Sequence, residues 1–144
     1  FDDYGIHLYP TARKPFMIIV KIILNVLPEK QLEFKQTLLS IVELTRKETG
    51  CIKYTVMCDI EDINQFNLLE EWETREDIDN HIKSTRFGVL LGSKTLLRKP
   101  MDIQILTVSI SEGIEAVTGL RGKKDFKENW KTKQKMNNPK GSSH

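Results

Sequence analysis

Cysteine is scarce in this chain. The 144 residues hold two thiols, Cys51 and Cys58, and no C-x-x-C pair or Cys/His cluster with the spacing of a zinc site. Read as members of one strand, the two lie seven residues apart on opposite faces, ~23 Å from each other at ~3.3 Å per residue, beyond the reach of a disulfide. They are expected to be reduced strand residues, and no metal site is expected. Long apolar runs are missing as well. The longest opens at Phe16-Met17-Ile18-Ile19-Val20 and breaks at Lys21, far short of the ~20 residues that span a bilayer, so neither a transmembrane helix nor a membrane partner is expected. Phe1-Asp2-Asp3 opens acidic and no apolar run leads into a small-residue cleavage site. With no secretory signal read, the expected location is the cytoplasm. The P-loop, the dinucleotide-binding glycine fingerprint and the nucleophile elbow are also absent, which removes the enzyme classes those motifs mark.

The composition is that of a soluble globular protein, 39% hydrophobic and 29% charged, and the length suits one domain. Its net charge of +2 is unevenly placed. Residues 114–144 hold eight Lys/Arg against three Asp/Glu, a surplus of five that leaves −3 on residues 1–113. The basic balance therefore belongs to a tail, and nucleic-acid binding by the folded domain is not expected. Within that tail, Phe126 and Trp130 interleave with lysines over residues 123–135, a pattern open to an acidic partner or RNA, and more simply read as a solvated end. Residues 1–16 carry no useful periodicity and read as an N-terminal extension or an added leader. Residues 114–144 read as a basic, flexible end.

Between these ends the pattern is regular. Residues 17–27, MIIVKIILNVL, are rich in β-branched side chains and read as a first strand. Pro28 suits a helix start, Leu32, Phe34, Leu38, Leu39, Ile41, Val42 and Thr45 give an apolar face, and Gly50 suits the C-terminal end. Residues 51–59 and 65–72 read as an antiparallel hairpin. On the first strand Ile52, Tyr54, Val56 and Cys58 share a face, and on the second Phe66, Leu68, Glu70 and Trp72 do. Thr74 precedes Asp77 by three residues, a capping-box-like start for a short helix through His81, and Ser84-Thr85 can cap a second segment ending before Pro100. Residues 101–110 give the last strand. The order β-α-β-β-α-β predicts an α+β fold of the ferredoxin-like kind over residues 17–113, a four-stranded antiparallel sheet with helices on one face. Apolar residues on both faces of the strands leave the second face to be covered, and a homodimer is expected to cover it.

Met17-Ile18-Ile19-Val20, Phe34, Glu48-Thr49-Gly50-Cys51, Leu69-Glu70-Glu71-Trp72-Glu73-Thr74 and Asp79-Asn80-His81-Ile82, in that order and spacing, resemble the antibiotic biosynthesis monooxygenase family over about residues 17–110. The resemblance implies a dimeric α+β barrel whose pocket lies between sheet and helices, and a chemically diverse membership. Some members oxidise quinols or polyketide anthrones with O2 and no cofactor, some degrade heme, and at least one isomerises a small sugar-like phosphate. Fold alone does not choose among these. Trp72 matches the Trp of the anthrone-oxidising and heme-degrading members. Leu68 stands where anthrone oxidation uses an Asn, and Leu90 stands where the heme-degrading members need a His; an apolar side chain cannot supply that axial nitrogen. His81 and Glu70 match the quinol-oxidising type, whose second His is replaced near Arg86.

The residues themselves allow two readings each. His81, with an ordinary pKa of ~6.5, can accept a proton from a substrate or hold a neighbouring carboxylate. Trp72 can stack on a flat substrate and donate its indole N–H to a developing oxyanion, or be plain core. Glu70 on the same face can orient His81, or be a solvated strand carboxylate. Tyr54 and Arg86 are further pocket donors, Leu68 and Leu90 apolar lining, and Gly88 and Gly92 positions that could open space. The function expected is a monooxygenase, with no cofactor, oxidising a hydroquinone or polycyclic aromatic substrate. The alternatives are a dimeric module that binds a small aromatic ligand without reaction, and an isomerase of a small carbonyl compound.

Overall fold

A computed structural model describes residues 17–122. The chain divides after Ile110 into two compact units. The first is built on a four-stranded sheet in the order β2-β3-β1-β4, with every neighbour antiparallel. β1 (Met17–Asn25) is the inner strand between β3 (Gln65–Trp72) and β4 (Asp102–Val108), and β2 (Cys51–Cys58) is one edge. The ferredoxin-like arrangement expected from the pattern is the one observed. β1 shows why: Ile18, Val20, Ile22 and Leu24 alternate into the core, while Met17, Ile19, Lys21 and Ile23 turn to the opposite face.

The helices lie over that core face. Pro28 opens a 3-10 turn (Pro28–Lys30) leading into α1 (Gln31–Arg46), which buries Phe34, Leu38, Ile41, Val42 and Thr45. Leu32 and Leu39 do not join them; they are 70% and 71% exposed, because a stripe centred on Phe34, Leu38 and Ile41 points them away from the sheet. The helix also ends earlier than Gly50. Arg46 closes it and turns back to donate to the Tyr54 carbonyl from Nε and Nη2 at 3.2 and 3.1 Å. Gly50 then takes φ +84°, and a Cβ there would overlap the Asp77 side chain, so the turn into β2 admits only glycine without strain.

β2 carries one feature the alternation does not reveal. Cys51 pairs with Trp72, but Lys53 pairs with Glu71, so Ile52 is an extra residue in a bulge. The bulge reverses the expected faces: Cys51 joins Tyr54, Val56 and Cys58 on the core side, and Ile52 is 45% exposed. The two cysteines, free in the structure, thus share a face, but they stand opposite Trp72 and Phe66, about 20 Å apart along the strand.

After β3, α2 (Arg75–Ile82) is capped by the Thr74 hydroxyl, which accepts from the Asp77 N–H at 3.1 Å. α3 (Thr85–Gly92) is capped in the same way by Ser84, which accepts from the Phe87 N–H at 3.2 Å. Both caps are those the sequence signals. Gly88 and Gly92 meet open space rather than a packed neighbour. A 3-10 turn (Ser93–Leu96) leads to β4, where Ile103 and Ile105 are each 36% exposed. In the second unit, residues 114–121, which the sequence left in the tail, form helix α4 (Ile114–Arg121). The extension over residues 1–16 and the rest of the tail, with Phe126 and Trp130, lie outside the described residues. Among the described residues no helix is long and apolar enough to cross a membrane.

Candidate functional site

β3 delivers two large polar-tipped side chains into the core. Because its core face reads Phe66, Leu68, Glu70, Trp72, the last two project side by side under the helices, each 0% exposed. The Trp72 Nε1–H donates to Glu70 Oε1 at 2.9 Å. α2 supplies the third member. Its buried side is Ile78 and His81, three apart, and this sets the imidazole against the indole with ring centroids 4.6 Å apart and planes 29° apart. Phe87 from α3 closes on His81 edge-on, with centroids at 5.3 Å.

His81 is held at both nitrogens. Nδ1 lies 2.9 Å from Glu48 Oε2, and Nε2 lies 3.5 Å from Glu70 Oε1, the second a long contact by hydrogen-bond standards. Glu48 Oε2 also accepts from Arg86 Nε at 2.9 Å. A chain of groups, Arg86, Glu48, His81, Glu70 and Trp72, therefore runs from the surface into the core. Its outer end, Glu48 and Arg86, borders an open polar groove of about 650 Å³ that is also lined by Lys47, Thr49, Asn80 and Ser84. At its inner end Glu70 Oε2 is buried without a hydrogen-bond partner. Such an orphaned acceptor is costly, and a proton on it reduces the cost.

The electrostatics follow from burial. Desolvation, with a smaller push from the Glu48 charge and against the Trp72 hydrogen bond, raises Glu70 from 4.5 to about 7. Desolvation lowers His81 from 6.5, and the charge of Arg86 acts in the same direction, while the charge and hydrogen bond of Glu48 oppose them. At 3.5 Å the two do not titrate independently. Tyr54 stands directly across from Glu70 on β2; burial first, then the Glu70 charge, pushes its phenol up. The same causes push the Cys51 thiol up to about 11, which makes it an inert thiol rather than a nucleophile.

The structure thus brings together His81, Trp72, Glu70, Tyr54 and Arg86, though Arg86 reaches the others only through Glu48. Leu68 and Leu90 are each 1% exposed in the core cluster. Glu48 itself is the functional candidate that reading the sequence did not single out. It lies 33 residues from His81 and 38 from Arg86, and its signal is its place, two residues before the glycine that turns α1 into β2.

Comparison with known proteins agrees with this architecture. The family model of the antibiotic biosynthesis monooxygenases matches residues 17–90. An uncharacterised protein of Synechocystis, sll1783, is 32% identical over 93 residues, 64% of this chain and 63% of that relative's own length. A conserved protein of Methanosarcina mazei is 33% identical, with a TM-score of 0.63 over 67% of this chain and 96% of that one. A crystal structure of an antibiotic biosynthesis monooxygenase matches with a TM-score of 0.59 at 23% identity, over 66% of this chain and 99% of that one, a likeness of fold. The fold defines the class, a small ferredoxin-like α+β domain, and the chain belongs to the antibiotic biosynthesis monooxygenase family.

Proposed function

We propose that the domain is a monooxygenase that oxidises an acidic aromatic substrate, a hydroquinone or an anthrone-like methylene compound, with O2 and without a bound cofactor. The observation that carries this reading is the buried Glu70–His81 pair stacked on Trp72, with Nε2 of the imidazole facing inward and Glu70 Oε2 unpartnered.

In this reading His81 Nε2 takes the substrate proton. The resulting carbanion or phenolate is electron-rich enough to pass one electron to O2, the two radicals combine into a peroxide anion, and the imidazolium gives its proton back to make the hydroperoxide. For an anthrone, loss of water from that hydroperoxide leaves the ketone, so one oxygen atom enters the product and the other leaves as water. In that step His81 takes the remaining C–H proton while protonated Glu70 gives one to the departing hydroxide, and the imidazolium then reprotonates Glu70 across their 3.5 Å contact. Tyr54, Leu68 and Leu90 shape the walls. A second copy packed on the bare sheet face completes the assembly as a homodimer.

Trp72, Glu70 and His81 are closed to solvent, at 0%, 0% and 2% exposure. Substrate therefore reaches Nε2 only when the α2–α3 corner carrying Phe87 moves aside. The second reading is a dimeric module that binds a small aromatic ligand through the same opening and does not react. The deciding experiment is O2 consumption over a panel of hydroquinones and anthrones, with metal-stripped wild type and His81→Ala. The monooxygenase reading expects uptake above background by the wild type and a loss of ~10²-fold or more in the variant. Saturable binding with no uptake would establish the second reading instead.

A further inference from the structure

We propose that Glu48 is a positioning residue of this site: backed by Arg86, its carboxylate fixes His81 as the Nδ1–H tautomer and directs the basic Nε2 inward to Glu70 and Trp72. The inference deepens the reading above and rests on it for its catalytic meaning, but its physical content stands on the geometry alone.

Donors and acceptors fix the tautomer. Arg86 is a donor only, and its Nε–H occupies Glu48 Oε2 at 2.9 Å. The same oxygen lies 2.9 Å from His81 Nδ1. A carboxylate is an acceptor only, so the proton on this contact belongs to the ring, and Nδ1 carries it. Neutral His81 then has its lone pair on Nε2, the atom facing Glu70 Oε1. Glu48 has 13% of its side chain exposed, against 3% for His81 and 0% for Glu70, so it couples a buried base to the solvated groove. It also adds a charge that favours imidazolium as a proton arrives, the task a carboxylate performs behind a catalytic histidine in hydrolases. The groups facing His81 from every packed element are Glu48 on the turn after α1, Glu70 on β3 and Arg86 on α3, with Tyr54 and Cys51 of β2 beyond Glu70.

The test is nitrogen NMR of full-length protein carrying 15N-histidine, with the His81 signals assigned by their loss in His81→Asn. Wild type is expected to show a protonated Nδ1 and a bare Nε2 above its titration. Glu48→Leu is expected to lose that single tautomer. Glu48→Gln, which keeps an acceptor but no charge, is expected to keep the tautomer and lower the His81 pKa by about one unit. Arg86→Met, which leaves Glu48 in place, is expected to shift the pKa upward, and opposite shifts are not what a merely structural pair would give. An Nε2–H tautomer in wild type, an unchanged tautomer in Glu48→Leu, or shifts of the same sign in Glu48→Gln and Arg86→Met would overturn the proposal. Because none of these readings uses turnover, failure of the monooxygenase activity is separable from failure of this inference. Where activity is found, Glu48→Gln is expected to lower kcat about tenfold with KM held.

Discussion

At the scale of single residues, the Glu70–His81 pair makes opposite demands on stability, and the pH profile separates them. Glu70 is raised from 4.5 to about 7 in the fold, so its contribution is fully present below 4.5 and is lost as pH climbs toward 7. His81 is lowered from 6.5, so its contribution is present above 6.5 and is lost as pH falls. Below 6.5 the two contributions therefore change with pH in opposite directions, Glu70 favouring the fold toward acid and His81 away from it, so in the wild type they offset each other. Glu70→Gln leaves only the histidine, and stability should then rise with pH in that window by up to about 1.4 kcal/mol per unit. His81→Gln leaves only the acid, and stability should fall with pH by up to about the same slope. Urea unfolding at several pH values checks this, and variant profiles parallel to the wild type would show that burial does not shift these groups as described. The sequence made Glu70, Trp72 and His81 legible because a period of two on β3 and the helical spacing of Ile78 and His81 fix which way they point. Glu48 was not legible, because its partners lie 33 and 38 residues away and only the tertiary fold brings them to it.

At the scale of elements, the same division holds. Strand order, both helix caps and the hairpin follow from periodicity and local side-chain-to-backbone bonding, which operate over a few residues. The bulge at Ile52 does not, since it is set by how β2 must turn to reach its partner and leaves no mark in the alternation of residues 51–58. The early end of α1 is similar in kind. Gly50 sits where α1, β2 and α2 converge: it takes φ +84°, its site for a Cβ is filled by Asp77, and its carbonyl accepts the Glu73 N–H at 2.9 Å. Gly50→Ala therefore combines a left-handed backbone penalty with a steric overlap, and is expected to cost about 2–4 kcal/mol in urea denaturation. It should also disturb the contact between Glu48 and His81, seen as a changed His81 nitrogen spectrum. A loss below about 0.5 kcal/mol would mean that the corner relaxes freely and does not hold the site.

At the scale of the whole molecule, among the described residues of the first unit the helices lie on one face of the sheet. The other face carries Met17, Ile19 and Ile23 of β1, Leu69 of β3, and Leu106 and Val108 of β4, with Lys21 and Lys53 set among Glu71 and Asp102. Leu106 is 41% exposed and lies directly across from Ile19. A face that mixes apolar residues with both charges is one that a second copy can cover about a two-fold axis. An interface of ordinary size, roughly 1,600 Å² in total, is within reach of this sheet. Light scattering of the wild type should therefore give twice the chain mass. Leu106→Glu places a charge in that apolar patch beside Ile19 and should give the single mass at micromolar concentration, with the far-UV spectrum retained. A wild-type monomer would remove the homodimer and leave the bare face to another partner. A variant that stays dimeric would move the interface off the sheet.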